Sequence, residues 1–233
     1  MSDAILMPVY NESSTVSDVL DTVRGYHDGE ILVVNDGSTD DTTAVLAARE
    51  DVTVIAHPAN LGYGRALAEG FAVARCRGVE RLVTMDCDGQ HEPAHIPQFL
   101  DALEEGWDVV SGSRYLPESE EVGEAPASRR EVNARIMSEI NRMTGWSLTD
   151  AFCGFKAYRL PSLDGMPLTE PGYAMPLQLW AHAWHRGLRV TEIPVERIYF
   201  DNDRSFGEDL DDPEWRYAYY MRVWRMALEE EQW

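Results

Sequence analysis

The chain has 233 residues, 44% of them hydrophobic and 26% charged, enough apolar material for one large domain with a sizeable core. No run approaches the roughly 18 apolar residues of a membrane span, and Met1-Ser2-Asp3 lacks the basic and apolar regions of a signal peptide. With 41 acidic residues against 20 basic ones the net charge is −21, which excludes nucleic acid as a partner, and three cysteines without CxxC spacing exclude a disulfide framework and a zinc ribbon.

In chain order, the first 115 residues alternate short apolar runs with helical periodicity, the pattern of βα units building a mostly parallel sheet. Strands are expected at Ala4–Val9, Glu30–Asn35, Val52–Ala56, Arg81–Met85 and Asp108–Ser113. Helices are expected near Val16–Tyr26, up to Arg49, over Arg65–Arg75 and over Pro97–Glu105. Leu116 to Pro126 is acidic, with Gly123 and two prolines, and reads as a mobile surface loop. A helix over Arg130–Thr144 follows, then strands at Phe155–Tyr158 and Arg189–Pro194 flanking a helix at Leu177–Arg186. The tail, Pro213–Gln232, is a helix with aromatic residues on two faces. Such a helix has two destinations: packing on the domain or on a second copy in a homodimer, or docking at a membrane interface with Arg216, Arg222 and Arg225 near headgroups.

The acids run through the whole chain, and Lys156 is the only lysine, so 19 of the 20 basic residues are arginine. Adaptation to a high-salt cytoplasm accounts for this: at ~1 M salt the screening length falls to ~3 Å and crowded carboxylates no longer repel one another strongly.

Three motifs carry chemistry. Asp86-Cys87-Asp88 ends an apolar strand, and in an open α/β sheet ligands sit outside the carboxyl ends of strands. Two hard carboxylates at that edge suit Mg²⁺ or Mn²⁺ bridging a diphosphate, with Gln90 and His91 next to them; two capping acids in a turn is the plainer reading. Asp36-Gly37-Ser38-Thr39-Asp40 follows the second strand, where capping explains Ser38 or Asp40 but leaves Asp36 available to a base or ribose. Asn60-Leu61-Gly62-Tyr63-Gly64-Arg65-Ala66-Leu67 partly mimics a dinucleotide fingerprint, but Leu67 replaces the third glycine and the segment follows the third strand, not the first.

Taken with Pro8-Val9-Tyr10-Asn11-Glu12, Met85 to His91 and Gly112-Ser113-Arg114-Tyr115, these motifs resemble, in order and rough spacing, the family-2 glycosyltransferases, nearest to the dolichyl- or polyprenyl-phosphate sugar synthases. The resemblance spans roughly residues 4–207. It implies a GT-A fold: a Rossmann-like, mostly parallel central sheet flanked by helices, with a C-terminal helical extension. The domain would be residues 1–207, divided into a nucleotide-sugar half (1–115) and an acceptor half (116–207), with a tail at 208–233.

Position by position, the resemblance implies that Pro8, Tyr10, Glu12, Asp36 and Gly62 wall the nucleotide of a UDP- or GDP-linked sugar. Asp86, Asp88 and Gln90 would hold the metal, and Arg114 would lie near the phosphates. Arg129 and Arg130 match a basic position after the loop, Asp150 and Lys156 match an Asp…Gly-Phe-Arg/Lys segment, and Arg204 stands loosely for an Arg…Ser-Lys segment. Asp88, Arg130, Asp150 and Lys156 are the catalytic candidates, and Arg129, Arg130 and Arg204 the acceptor-binding ones. No Glu-Asp base pair follows Asp150, which tilts the reading toward a lipid-phosphate acceptor that arrives ionised. A hydroxyl acceptor on a glycan, alcohol or protein would instead need Asp150 as base. A non-catalytic nucleotide-binding module is the remaining alternative. The expected setting is cytoplasmic, peripheral at the inner face of the membrane.

Overall fold

The computed structural model describes residues 2–123, 127–198 and 208–230. The amino-terminal part runs β1 (Asp3–Val9), α1 (Val16–Arg24), β2 (Glu30–Asn35), α2 (Thr42–Ala47), β3 (Thr53–Ala56), α3 (Tyr63–Cys76), β4 (Arg81–Thr84), α4 (Ile96–Glu104) and β5 (Val109–Ser113). There follow β6 (Glu121–Val122), α5 (Ala127–Thr144), β7 (Lys156–Arg159), α6 (Met175–His185), β8 (Val190–Pro194), β9 (Arg197–Ile198) and α7 (Pro213–Glu230).

Seven strands form one sheet in the order β3-β2-β1-β4-β7-β5-β8. Strand β1 lies inside the sheet between β2 and β4 and is buried on both faces, as a strand under helices on either side must be. Ile5, Met7 and Val9 point into the layer that also holds Val16, Leu20 and Phe99. Ala4 and Leu6 point into the other layer, with Phe71, Trp180 and Trp224. Each such fully buried large side chain contributes about 1.5–3 kcal/mol. Helix α3 lies so close to the sheet that a Cβ on Gly70 would stand 2.3 Å from Leu6 Cδ1.

All pairings in this sheet are parallel except those of β7, which runs antiparallel between β4 and β5. Residues 156–159 of the second half thus sit in the middle of the sheet begun by the first, and Lys156 pairs with both Thr84 and Ser111. The expected loop at Leu116–Pro126 contains a strand: β6 pairs in parallel with β9, Glu121 opposite Arg197 and Val122 opposite Ile198. Two residues are too few to show a period of two, which is why alternation does not reveal it.

Helix α7 packs on its own domain. Tyr220, Met221, Trp224 and Leu228 join the core, while Arg135 of α5 pairs with Glu214 at 2.5 Å and its guanidinium lies 3.9 Å from the Tyr217 ring centre. Arg222 and Arg225 face solvent, but Arg216 is buried, which removes it from the headgroup-facing set expected from the helical wheel. Among the described residues no helix is long and apolar enough to cross a membrane.

Candidate active site

The carboxyl ends of β1, β2 and β4 open into a cleft of about 360 Å³. Two chain reversals wall it first. Asn11 adopts a left-handed φ of 56°, and its Oδ1 accepts from the Thr39 backbone N–H at 2.7 Å, locking the turn after β1 to the turn after β2. Thr42 Oγ1 accepts from Glu12 N at 2.8 Å and Asp40 Oδ2 from Ser13 N at 3.1 Å. This internal work accounts for Ser38 to Thr42, and the hydrogen bonds from Thr42 and Ser13 hold the Asp40 carboxyl far below its ordinary range.

Asp36 has a different task. Its Oδ1 accepts from Leu61 N at 2.8 Å and faces His57 Nδ1 at 2.6 Å, and its Oδ2 accepts from Gly62 N at 2.9 Å. The carboxylate therefore moors the glycine-rich segment before α3 to the end of β2, besides lining the cleft. Its protein partners make it first a clamp, a role the expected base or ribose contact does not include. Gly62 takes φ +103°, and a Cβ there would stand 2.4 Å from Pro171 O, so glycine is required where this segment meets the loop before α6.

Asp86, Asp88 and Gln90 lie together on the cleft at the exit of β4. Gln90 N donates to Asp88 Oδ1 at 2.9 Å, which closes the turn. Asp86 N lies 3.0 Å from His91 Nδ1, and the ring's Nε2 lies 3.8 Å from the Asp86 carboxylate. Burial pushes the Asp86 carboxyl up, against the pull of His91, and the neighbouring Asp88 charge pushes the same way. Tyr63, in the glycine-rich segment, is half-buried beside Asp86, and desolvation and that charge together push its phenol upward. Among the described residues no three His, Cys, Asp or Glu side chains converge as a metal cage. Two carboxylates and an amide fit a hard divalent cation that takes its remaining oxygens from a diphosphate and water.

Arg114 also lines the cleft, held from behind. Its Nε and Nη2 donate to Asp150 Oδ2 and Oδ1 at 2.7 and 3.0 Å, a bidentate pair. Asp150 is fully buried and outside the cleft lining, and its Oδ1 also accepts from Phe152 N and Cys153 N. Burial opposes its charge, but Arg114 first and Lys156 after it outweigh that and hold the carboxyl below its ordinary value. Asp150, expected as the base for a hydroxyl acceptor, is here ion-paired with Arg114 and holds that guanidinium in place. Lys156 is likewise displaced from its expected role: it is buried in the sheet, donating to Ser111 Oγ at 2.9 Å and to Cys153 O, with its Nζ 5.2 Å from the Trp180 ring centre. Burial pushes its ammonium downward.

The far wall comes from α5, α6 and α7. Because α5 begins at Ala127, Arg129, Val132 and Asn133 share the i, i+3, i+4 face that meets the cleft. Arg130 lies one residue round the helix and is exposed, so it does not join Arg129 as expected. Arg204 falls outside the described residues. Phe152, Tyr173 and Pro176 add apolar surface, and Arg216 and Tyr220 project from α7 at i, i+4. Arg216 was legible only as a surface cation of an amphipathic helix.

A family model for "Glycosyl transferase family 2" matches residues 4–165. The "Polyprenol monophosphomannose synthase" of Mycolicibacterium smegmatis is 32% identical over 82% of this chain and 75% of its own length. The "Undecaprenyl-phosphate mannosyltransferase" of Micrococcus luteus is 32% identical over 87% of this chain and 84% of its own length. Among solved structures, glucosyl-3-phosphoglycerate synthase from Mycobacterium tuberculosis, in complex with Mn²⁺, uridine diphosphate and glucosyl-3-phosphoglycerate, superposes with a TM-score of 0.74 over 98% of this chain and 80% of that one, at 21% identity. The fold is the GT-A fold that the motifs lead one to expect.

Proposed function

From the premise that the chain belongs to glycosyl transferase family 2, we propose that it moves a sugar, with inversion, from a UDP- or GDP-linked donor to a polyprenyl phosphate. One observation carries the choice of acceptor. Every carboxylate lining the cleft (Glu12, Asp36, Asp86, Asp88) belongs to the donor wall, whereas the described residues of the wall from Arg129 to Tyr220 offer two arginines, apolar surface and no carboxylate. A hydroxyl nucleophile needs a base within about 3 Å, but a phosphate monoester arrives ionised and needs only to be held. The two relatives, a synthase of polyprenol monophosphomannose and an undecaprenyl-phosphate mannosyltransferase, support the same choice.

In this reading Pro8, Tyr10, Glu12 and the Asp36-moored Gly62 enclose the nucleoside, and Arg114, fixed by Asp150, faces the diphosphate. Asp86, Asp88 and Gln90 would hold Mg²⁺ or Mn²⁺, which when bound stabilises the leaving diphosphate as a Lewis acid; the Mn²⁺ of the structural neighbour supports this. An acceptor phosphate oxygen forms the new bond to the anomeric carbon as the bond from that carbon to the diphosphate oxygen breaks. The nucleoside diphosphate leaves, and no proton needs to be removed from the nucleophile. Arg129 steadies the incoming phosphate, and Val132, Phe152 and Tyr173 give the prenyl chain an apolar path.

The test is transfer from UDP- and GDP-sugars with Mn²⁺ to a short polyprenyl phosphate and to the matching polyprenol. Product is expected from the phosphate alone. Transfer to the free alcohol, with none to the phosphate, overturns the reading.

A further inference from the structure

The family model ends at residue 165, yet α7, beginning at Pro213, supplies part of the cleft wall. Arg216 is 4% exposed and, with Lys156, is one of two buried lysine or arginine side chains among the described residues of a chain with 41 acids. Its Nη1 donates to Leu210 O at 2.8 Å, which fixes one edge of the guanidinium, and its side chain lines the same cleft as Arg129. The two cations share that wall: burial first, and then the charge of Arg129, disfavour the charged form of Arg216, while Tyr220, Asp211 and Asp212 favour it. Two arginines on one wall of a cavity gain from an anion shared between them, and planar guanidiniums match a phosphate better than a point charge does.

We propose that Arg216 and Arg129 together form the seat of the acceptor's phosphate, so that the tail helix sets acceptor specificity. This rests on the acceptor class argued above. Tyr220, one turn on from Arg216, and Phe152, whose ring centre lies 4.7 Å from that of Tyr220, then flank the first carbons of the acceptor.

The experiment compares wild type with Arg216→Gln and Arg216→Lys. Titration calorimetry measures binding of a short-chain alkyl phosphate without donor, and steady-state kinetics give KM for lipid phosphate and for nucleotide sugar separately. Arg216→Gln should raise the Kd for the alkyl phosphate and the acceptor KM at least tenfold, while nucleotide Kd and donor KM stay within twofold. Arg216→Lys keeps the charge but not the fork and should fall between; it is also the test variant if the glutamine protein does not fold. Unchanged phosphate binding in the folded variant, or equal losses on donor and acceptor sides, overturns the proposal. A wild type that binds no alkyl phosphate yet glycosylates the alcohol defeats the acceptor reading instead.

Discussion

Gly154 faces the carboxylate of Asp86 so closely that a Cβ built on it would stand 2.3 Å from Asp86 Oδ2 and 2.8 Å from Cγ. No side chain fits there unless the carboxylate moves. Gly154→Ala should therefore displace Asp86 and weaken metal-dependent nucleotide binding about tenfold or more, with little change in binding without metal. Calorimetric titration of UDP or GDP with and without Mn²⁺ reads this directly, and an alanine variant with unaltered affinity would show that Asp86 holds nothing.

Asp88→Asn keeps the shape of the turn but removes one of the two charges at the exit of β4. Transfer should fall by ~100-fold or more, about the scale of losing one preorganised electrostatic contact. Nucleotide binding should lose its dependence on divalent ions, and chelation by EDTA should cost the wild type much and the variant little. Near wild-type turnover in the variant would remove the pair from the donor site.

Asp150 tests positioning against base catalysis. Breaking a buried ion pair from one side costs about 3–5 kcal/mol, so Asp150→Asn should melt well below wild type. Its folded carboxyl titrates below the ordinary carboxylate range, so the stability it gives is present above that range and is lost as pH falls from there through the depressed folded value. The variant's stability should accordingly be flatter with pH on the acid side. Its pH–rate profile should keep the wild-type shape at lower amplitude; loss of the acid-side limb would instead make Asp150 the proton acceptor.

The net charge of −21 yields a prediction about salt. Screening of carboxylate repulsion should raise the melting temperature steadily as KCl goes from millimolar to molar. A flat or falling Tm would detach the acid excess from high-salt adaptation.

Much of the donor side was legible because its signals are local. Strands β1, β2 and β4 are apolar runs that end in the residues they deliver, Glu12 and Asp36 just beyond two of them and Asp86 at the third. The far wall was less so. Whether Arg129 or Arg130 meets the cleft depends on where α5 begins, three residues earlier than its periodicity marks, and one residue is about 100° of rotation. The burial of Lys156 and Asp150 follows from the insertion of β7, a pairing with β4 and β5, 72 and 45 residues earlier, that no local pattern encodes. Arg216 reads as a surface cation until the helices that cover it are in place.

That insertion also orders the assembly of the molecule. β5 follows β4 in the chain but is separated from it in the sheet by β7, and Thr84 waits for Lys156, 72 residues later. During synthesis the edge of β4 beside Asp86 stands open as a template for wrong partners, β5 foremost among them. Closing a loop of that length is slow relative to the neighbouring βα units. The carboxylate pair is thus made some 70 residues before β7 and Gly154 come to lie beside it, so a nascent chain gains a finished cleft only when that later segment has arrived.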